Sequence, residues 1–271
     1  MKIETKLLRP AVNAAKKLSC GRTTLPILSH FLLDGTDGAL NLCATDIDQF
    51  SEAVVEKQAG NLPRLCIPAK PFTFLVDSAG ETIDLESTDG KNLIVKSDGW
   101  SRRMSTLPAA EFVPRPDVKG MKQQAVPAHL LADAIKAVKW AGDENPTDQR
   151  FMKTLILIEM GAKTLKVSAT QGSVFAQCSQ KLICSDLKWC LPIKSADLFC
   201  QALRGEDVQL LHSDKRIAVV HSTGFFSSAL STEMWPEYKQ TFAGERVSIG
   251  SVAVKPLLAA LERAVTVYQT D

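Results

Sequence analysis

Two kinds of hydrophobic pattern alternate along the chain. "LLRPAVNAAKKL" (7–18) and "LLADAIKAVKWA" (130–141) carry apolar residues at helical spacing, and the second has its stripe at Leu131, Ala134, Ile135 and Val138. Between such stretches the period falls to two. "HFLLDGTDGALNLCATD" predicts a hairpin turning at Asp37-Gly38, and "TLILIEMGAKTLKVSAT" a hairpin turning at Gly161. A strand then runs through Ile67-Pro68 or Leu191-Pro192 into a second helix, where proline suits the first helical turn. "TIDLESTDGKNLIVKSD" and "DVQLLHSDKRIAVVHST" predict a further hairpin each, with turn aspartates at Asp89 and Asp214.

These elements repeat in order. The two helical stretches match at an offset of 123, "ATDIDQF" and "ATQGSVF" at 125, "LCIPAKPFTFL" and "WCLPIKSADLF" at 124, and "STLPAAEF" and "STEMWPEY" at 126. Four ordered matches with so little drift imply a tandem duplication. The expected fold class is α+β, each unit placing two helices on one face of antiparallel sheets. Units are expected over 1–122 and 123–247. "LLAALERAV" (257–265) lies 127 residues after "LLADAIKAV". It reads as the first helix of a third unit, so 248–271 is expected to be the start of a truncated third domain.

Composition narrows the function classes. The chain has 271 residues, 45% hydrophobic and 23% charged, with a net charge of only +2. No apolar run approaches the roughly 20 residues of a membrane span, and the N-terminus lacks a continuous apolar signal core. A cytoplasmic location without membrane association is expected. Seven cysteines without a C-x-x-C read as buried thiols. The four histidines have no metal-ligand spacing, and no G-x-S-x-G, P-loop or G-x-G-x-x-G occurs. No catalytic set, no metal and no cofactor are expected, hence no enzyme. Asp46 and Asp48 share a strand face but face Gln171 and Ser173 in the repeat, which favours a turn role. Trp100, Trp140, Trp189 and Trp235 read as packing residues. Basic side chains recur on the helices: Lys6, Arg9, Lys16 and Lys17 on the first, Lys136 and Lys139 on its repeat, Lys255 and Arg263 on the third, and Lys70, Lys194 and Arg204 on the second helices. Within a nearly neutral protein, such a face suits phosphates without reading bases.

"GRTTLPILSHFLL" (21–33), "IPAKPF" (67–72), "MSTLPAAEF" (104–112), "SATQGSVFA" (168–176), "LPIK" (191–194) and "STEMWPEY" (231–238) together resemble the bacterial DNA polymerase III beta subunit family, the replicative sliding clamps. The resemblance implies a DNA-clamp fold and a homodimeric ring around duplex DNA. It also implies partners in the polymerase III catalytic subunit and the clamp-loader subunits. Arg22 matches a family arginine that reaches DNA, and Lys136, Lys139 and Lys194 are further DNA-facing candidates from helix position. A partner-peptide pocket is implied at Thr170, Gly172, Phe175 and Pro236. Ser173 and Val174 stand where the family has His and Arg, Lys153 where it has a pocket leucine, and Gln240 and Thr241 where it has Arg and Val. These departures support a second expectation, a divergent or truncated clamp paralogue that meets loader or polymerase components without closing a ring.

Overall fold

The computed structural model describes residues 1–19, 23–55, 60–124, 126–144, 151–161, 163–182, 186–204, 208–233, 235, 238 and 250–268. Residues 1–235 form one compact unit and 236–271 a second.

The repeat seen in the sequence is a repeat of topology. In the first half, β1 (Lys2–Glu4) leads into helix α1 (Thr5–Ala15), then strands β2 (His30–Gly35), β3 (Leu40–Thr45), β4 (Gln49–Val55) and β5 (Leu62–Pro68). Helix α2 (Ala69–Ser78) follows, then β6 (Thr82–Glu86), β7 (Asn92–Ser97), β8 (Trp100–Ser105) and the short β9 (Leu107–Pro108). The second half repeats this with β10 (Lys122–Gln123), α3 (Ala128–Lys139), β11 (Leu155–Gly161), β12 (Thr164–Thr170), β13 (Phe175–Lys181), β14 (Leu187–Pro192), α4 (Ala196–Ala202), β15 (Gln209–His212), β16 (Arg216–His221) and β17 (Gly224–Ala229). All pairings are antiparallel. The sheets run β1-β6-β7-β8, β13-β12-β11-β14 and a nine-stranded β10-β15-β16-β17-β4-β3-β2-β5-β9. The long sheet joins the halves where β17 pairs with β4, Phe225 opposite Glu52 and Ser227 opposite Phe50.

Alternation along the strands sorts the cores. Phe31, Leu33, Ile217, Val219 and Phe226 join the main core with Leu8 and Val12 of α1, Phe72 and Val76 of α2, Leu131 and Ile135 of α3, and Phe199 of α4. Their neighbours Leu32, Ala218 and Phe225 point to the other face. There, Phe50 meets Phe112 and Phe225 edge-on at 6.4 and 6.0 Å, beneath the connection between the halves. The helices therefore occupy one side of the sheets, and the connection crosses the other.

Two details depart from the sequence expectation. The second helix of the second half opens as a 3-10 turn, Ile193–Ser195, before α4. Trp189 and Trp235 are buried and Trp100 is half-buried, but Trp140 is 67% exposed. It follows α3 beyond the apolar stripe, and its indole N–H is satisfied by the Ala137 carbonyl at 2.9 Å. The cysteines Cys43, Cys66, Cys190 and Cys200 are buried, and Cys178 is half-buried. Burial pushes the Cys66 and Cys200 thiols up to about 11, which keeps them protonated packing groups. In the C-terminal unit, helix α5 (Val254–Tyr268) presents Leu257, Leu258 and Leu261 partly exposed.

The turns Thr45–Gln49 and Thr170–Val174 show how closely the halves correspond. In each, the threonine hydroxyl donates at 2.6 Å to a carbonyl four residues on, Gln49 or Val174. The same oxygen accepts the amide two residues on, Ile47 or Gly172, at 3.0 Å. This geometry puts the middle residue at positive φ, +99° for Gly172 and +82° for Ile47. A β-branched residue there is strained by ~1–3 kcal/mol, more than the ~0.5–1 kcal/mol entropic cost of glycine. Because Ile47 is about half exposed, replacing it forfeits little burial. Ile47→Gly is expected to raise the unfolding free energy by about 1 kcal/mol and Gly172→Ile to lower it by ~1–3 kcal/mol. Urea titrations of the two variants check both signs.

Candidate nucleic-acid interface

The helices carry charge in a pattern that composition conceals. Lys6, Arg9, Lys16, Lys17, Lys70, Lys136, Lys139 and Arg204 lie on or directly after α1–α4, against Asp77, Asp133 and Asp197 on the same elements. This face is therefore distinctly basic in a chain whose net charge is +2.

Packing divides these groups into free and engaged ones. Lys16, Lys17, Lys70 and Lys136 are exposed and form no ion pair among the described residues. Lys6 pairs with Glu4 at 2.8 Å. Arg9 reaches from α1 to the end of α2 and donates to the carbonyls of Val76, Asp77 and Ala79 at 3.3–3.5 Å. That places a positive charge on orphan carbonyls at the negative end of a helix dipole. Arg204 crosses from α4 to Asp133 of α3 at 2.8 Å.

The sequence-derived DNA candidates separate accordingly. Lys136 is exposed on α3. Lys139, one turn on, is half-buried between Asp197 at 2.8 Å and Glu144 at 2.9 Å. Partial burial pulls its ammonium down, but hydrogen bonds and charge from Asp197 and Glu144 outweigh this and hold its pKa above the ordinary lysine value. Lys194 reaches across the junction of the halves to Asp48 at 2.9 Å, with Asp46 at 3.7 Å. Its pKa is likewise raised: burial lowers it, and Asp48 and Asp46 more than compensate. Arg22 lies outside the described residues. The structure thus assigns Asp46 and Asp48 to a turn that also grips the other half. Arg216 adds a bond to the Asp48 carbonyl at 3.2 Å. Sequence reasoning missed this lock, although the replacement of both aspartates by Gln171 and Ser173 in the repeat was a signal that the first copy has a contact the second lacks.

Of the peptide-pocket candidates, Thr170 and Gly172 build the turn described above, and Phe175 opens β13 opposite Thr170. Phe175 is half-buried. Pro236, Gln240 and Thr241 lie outside the described residues. Among the described residues no cluster of three His, Cys, Asp or Glu side chains suits a metal ion. No helix among them is long and apolar enough to cross a membrane.

Comparison with known proteins agrees with this architecture. Residues 1–115 match the family described as DNA polymerase III beta subunit, N-terminal domain. The chain is similar to the beta sliding clamp of Escherichia coli strain K12, 29% identical over 178 residues, covering 65% of this chain and 48% of that protein. It is 21% identical to the beta sliding clamp of Chlamydia pneumoniae over 229 residues, 82% of this chain and 62% of that one. The chain thus spans about half the length of the first of these relatives. Among solved structures, the DNA polymerase sliding clamp of Bacillus subtilis superposes with a TM-score of 0.78 at 19% identity, covering 97% of this chain and 72% of that one. The Pseudomonas aeruginosa sliding clamp bound to griselimycin gives 0.76 at 24% identity, covering 89% and 66%. At these identities the structural likeness establishes the fold.

The Lys194 lock has a definite pH signature. A lysine whose folded pKa lies above its ordinary 10.5 contributes stability below that value and loses it as pH rises through the folded pKa. Lys194 is 49% exposed, so the contribution is at most ~1 kcal/mol. The stability difference between wild type and Lys194→Met is expected to be full at roughly pH 8 and to shrink as pH is raised through the folded pKa of Lys194, as read by urea unfolding across an alkaline series.

Proposed function

The chain belongs to the DNA polymerase III beta subunit, or beta sliding clamp, family, and on that premise we propose that it serves as a DNA sliding clamp. In this reading it is a processivity factor that encircles duplex DNA and tethers the replicative polymerase. The two halves, 1–122 and 123–247, are then its first and second clamp domains, and 248–271 begins a third.

The observation that carries the reading is the basic helical face. Its exposed lysines, Lys70 and Lys136 on helices and Lys16 and Lys17 directly after α1, form no ion pair among the described residues. Such a surface exchanges phosphates at little cost as the protein moves, because each contact is replaced by an equivalent one. Lys136, Lys16, Lys17 and Lys70 are the principal phosphate contacts in this proposal, and Arg22 is a further one by resemblance. Lys139 and Lys194 act instead as structural cations, each neutralised by two carboxylates. Thr170, Gly172, Phe175 and Pro236 are proposed to receive a peptide of the polymerase III catalytic subunit or the clamp loader. The role requires no cofactor and no catalysis, and it suits a cytoplasmic protein.

A second reading draws on the same ion pairs. With Lys139 and Lys194 engaged, the surface has fewer phosphate contacts than its lysine count suggests. This favours a clamp paralogue that binds loader or polymerase components without closing a ring.

Retention on DNA separates the two. A ring stays on nicked circular plasmid after a high-salt wash and runs off the same plasmid once linearised. Equal loss from both forms rejects encirclement. At low salt, direct binding is expected to fall linearly on a log–log salt plot, and Lys136→Glu to reduce the slope by about 0.9. An unchanged slope removes Lys136 from the interface.

A further inference from the structure

We propose that two lysine–aromatic pairs on the helical face, Lys136–Trp140 at the end of α3 and Lys70–Phe74 on α2, bind single-stranded DNA. Each ring stacks on an unpaired base while its lysine holds a neighbouring phosphate. The proposal rests on the phosphate-facing reading of the helices and adds unpaired bases to what they hold.

A single exposed aromatic needs no explanation, but here the placement recurs. Trp140 is 67% exposed and Phe74 71%. Each stands four residues after an exposed lysine that forms no ion pair among the described residues. Trp140, although it caps α3, keeps helical backbone angles (φ −60°, ψ −22°), so helical spacing holds for both pairs. Residues four apart are neighbours on a helix surface, about 6 Å apart along the axis. The buried residues of α3 include Leu131, Ala134, Ile135 and Val138, and those of α2 are Ala69, Phe72 and Val76. Both pairs therefore lie off the packed stripe of their helix, on the solvent side.

The repeat separates this arrangement from ordinary packing. At an offset of 124 the counterpart of Lys70–Phe74 is Lys194–Leu198. There the lysine is claimed by Asp48, and the leucine is 4% exposed at the join of the halves. At an offset of 123 the counterpart of Trp140 is Lys17, an exposed cation. The same position on this face thus offers an ammonium in the first half and a ring in the second. Rings set among cations suit a strand whose bases are unpaired, with lysines meeting the backbone charge and aromatic faces meeting the bases. A duplex keeps its base faces stacked inside and gives such rings nothing to hold.

The surroundings of Lys136–Trp140 favour the same ligand. Asp133 is bound by Arg204 at 2.8 Å, and Asp197 and Glu144 are bound by Lys139 at 2.8 and 2.9 Å. These carboxylates are engaged by other cations, which leaves Lys136 to a phosphate. The indole N–H already donates to the Ala137 carbonyl at 2.9 Å. That bond fixes the ring before a ligand arrives and lowers the entropy cost of binding. It also leaves the aromatic face, rather than a hydrogen bond, as the means of contact, and stacking of this kind tolerates any base.

Titration of the full chain at low salt with labelled oligothymidylate, and separately with duplex DNA, tests the proposal. Oligothymidylate is expected to quench the tryptophan fluorescence of the wild type, chiefly at Trp140, because Trp189 and Trp235 are buried and Trp100 is half-buried. Trp140→Phe should lose most of that quenching yet keep its affinity, read by anisotropy of the labelled strand. Trp140→Ala combined with Phe74→Ala should weaken oligothymidylate binding about tenfold. Its thermal melt, duplex affinity and salt slope should be unchanged, since no cation is removed. A wild type that does not bind oligothymidylate overturns the proposal. So does a double variant that binds it as the wild type does, or one that loses duplex and single strand in equal measure. Trp140→Phe binding as weakly as Trp140→Ala also overturns it. Duplex binding by the wild type and the salt slope of Lys136→Glu read the clamp proposal separately, and that proposal stands if oligothymidylate alone fails.

Discussion

Everything in the 1–235 unit depends on the pairing of β17 with β4. A strand edge is a row of unsatisfied donors and acceptors, and burying one without a partner is costly. Here each half covers the other's edge. The Val54 amide donates to the Thr223 carbonyl at 2.9 Å and the Ala229 amide to the Asp48 carbonyl at 2.8 Å, bracketing the paired segment. Gly224 is necessary at one end, because a side chain there would collide with the Glu52 carbonyl. Side chains then reinforce the seam from both faces. On one, Arg115 pairs with Glu52 at 2.9 Å while its guanidinium lies 4.0 Å over the Phe225 ring. On the other, Ser195 and Ser228 share a buried hydrogen bond at 2.8 Å. A continuous sheet leaves the helices one common side to occupy, and so gathers their charges on one surface.

That gathering resolves an apparent conflict between a near-neutral chain and the phosphate-facing role proposed for it. Net charge is a property of the whole molecule, whereas counterion release depends on the local density of unpaired cations. Much of the lysine and arginine on these helices is spent on structure: Arg9 caps α2, and Lys139 and Lys194 each lie between two carboxylates. What remains is a smaller set whose members form no ion pair among the described residues. Engaged cations hold the scaffold at fixed geometry, and free ones keep the rotational freedom that transient phosphate contacts require.

The repeat, the α+β class and the helices were legible in the sequence because all three rest on periodicity, which a single chain displays directly. The turn at Thr45–Gln49 was legible too, since Asp46 and Asp48 fit a turn better than a carboxylate pair. The seam was not. Nothing local distinguishes β4, which meets another half, from β13, which ends its sheet; the difference arises from a partner 170 or more residues away along the chain. The roles of Lys139 and Lys194 were hidden for the same reason. Helix position says that a lysine is near the surface, but the carboxylates that claim it come from other elements. Trp140 shows the converse error, a large apolar residue judged by its type although it stands past the end of its helix stripe.

Comparison of the two Thr-x-x-x-x turns suggests how one duplicated unit came to hold unlike neighbours. In both, a threonine hydroxyl bonds twice and sets the backbone geometry, so the residues on either side of the positive-φ position can differ between the copies. In the first copy that freedom placed two carboxylates opposite Lys194 and fixed the seam. The second copy has Gln171 and Ser173 at the same positions, and Lys70, the counterpart of Lys194, stands free at the far end. Among the described residues, an ion-paired lock of this kind is therefore found at the internal join alone. The turn at Thr170–Val174 carries neither carboxylate, so a contact made there draws on shape, apolar surface and backbone hydrogen bonds rather than on a matching ion pair. Those interactions are short in range and weakly affected by salt. The contrast separates a joint pinned by charge at its solvent-exposed rim from a repeat of the same turn that carries no such charge.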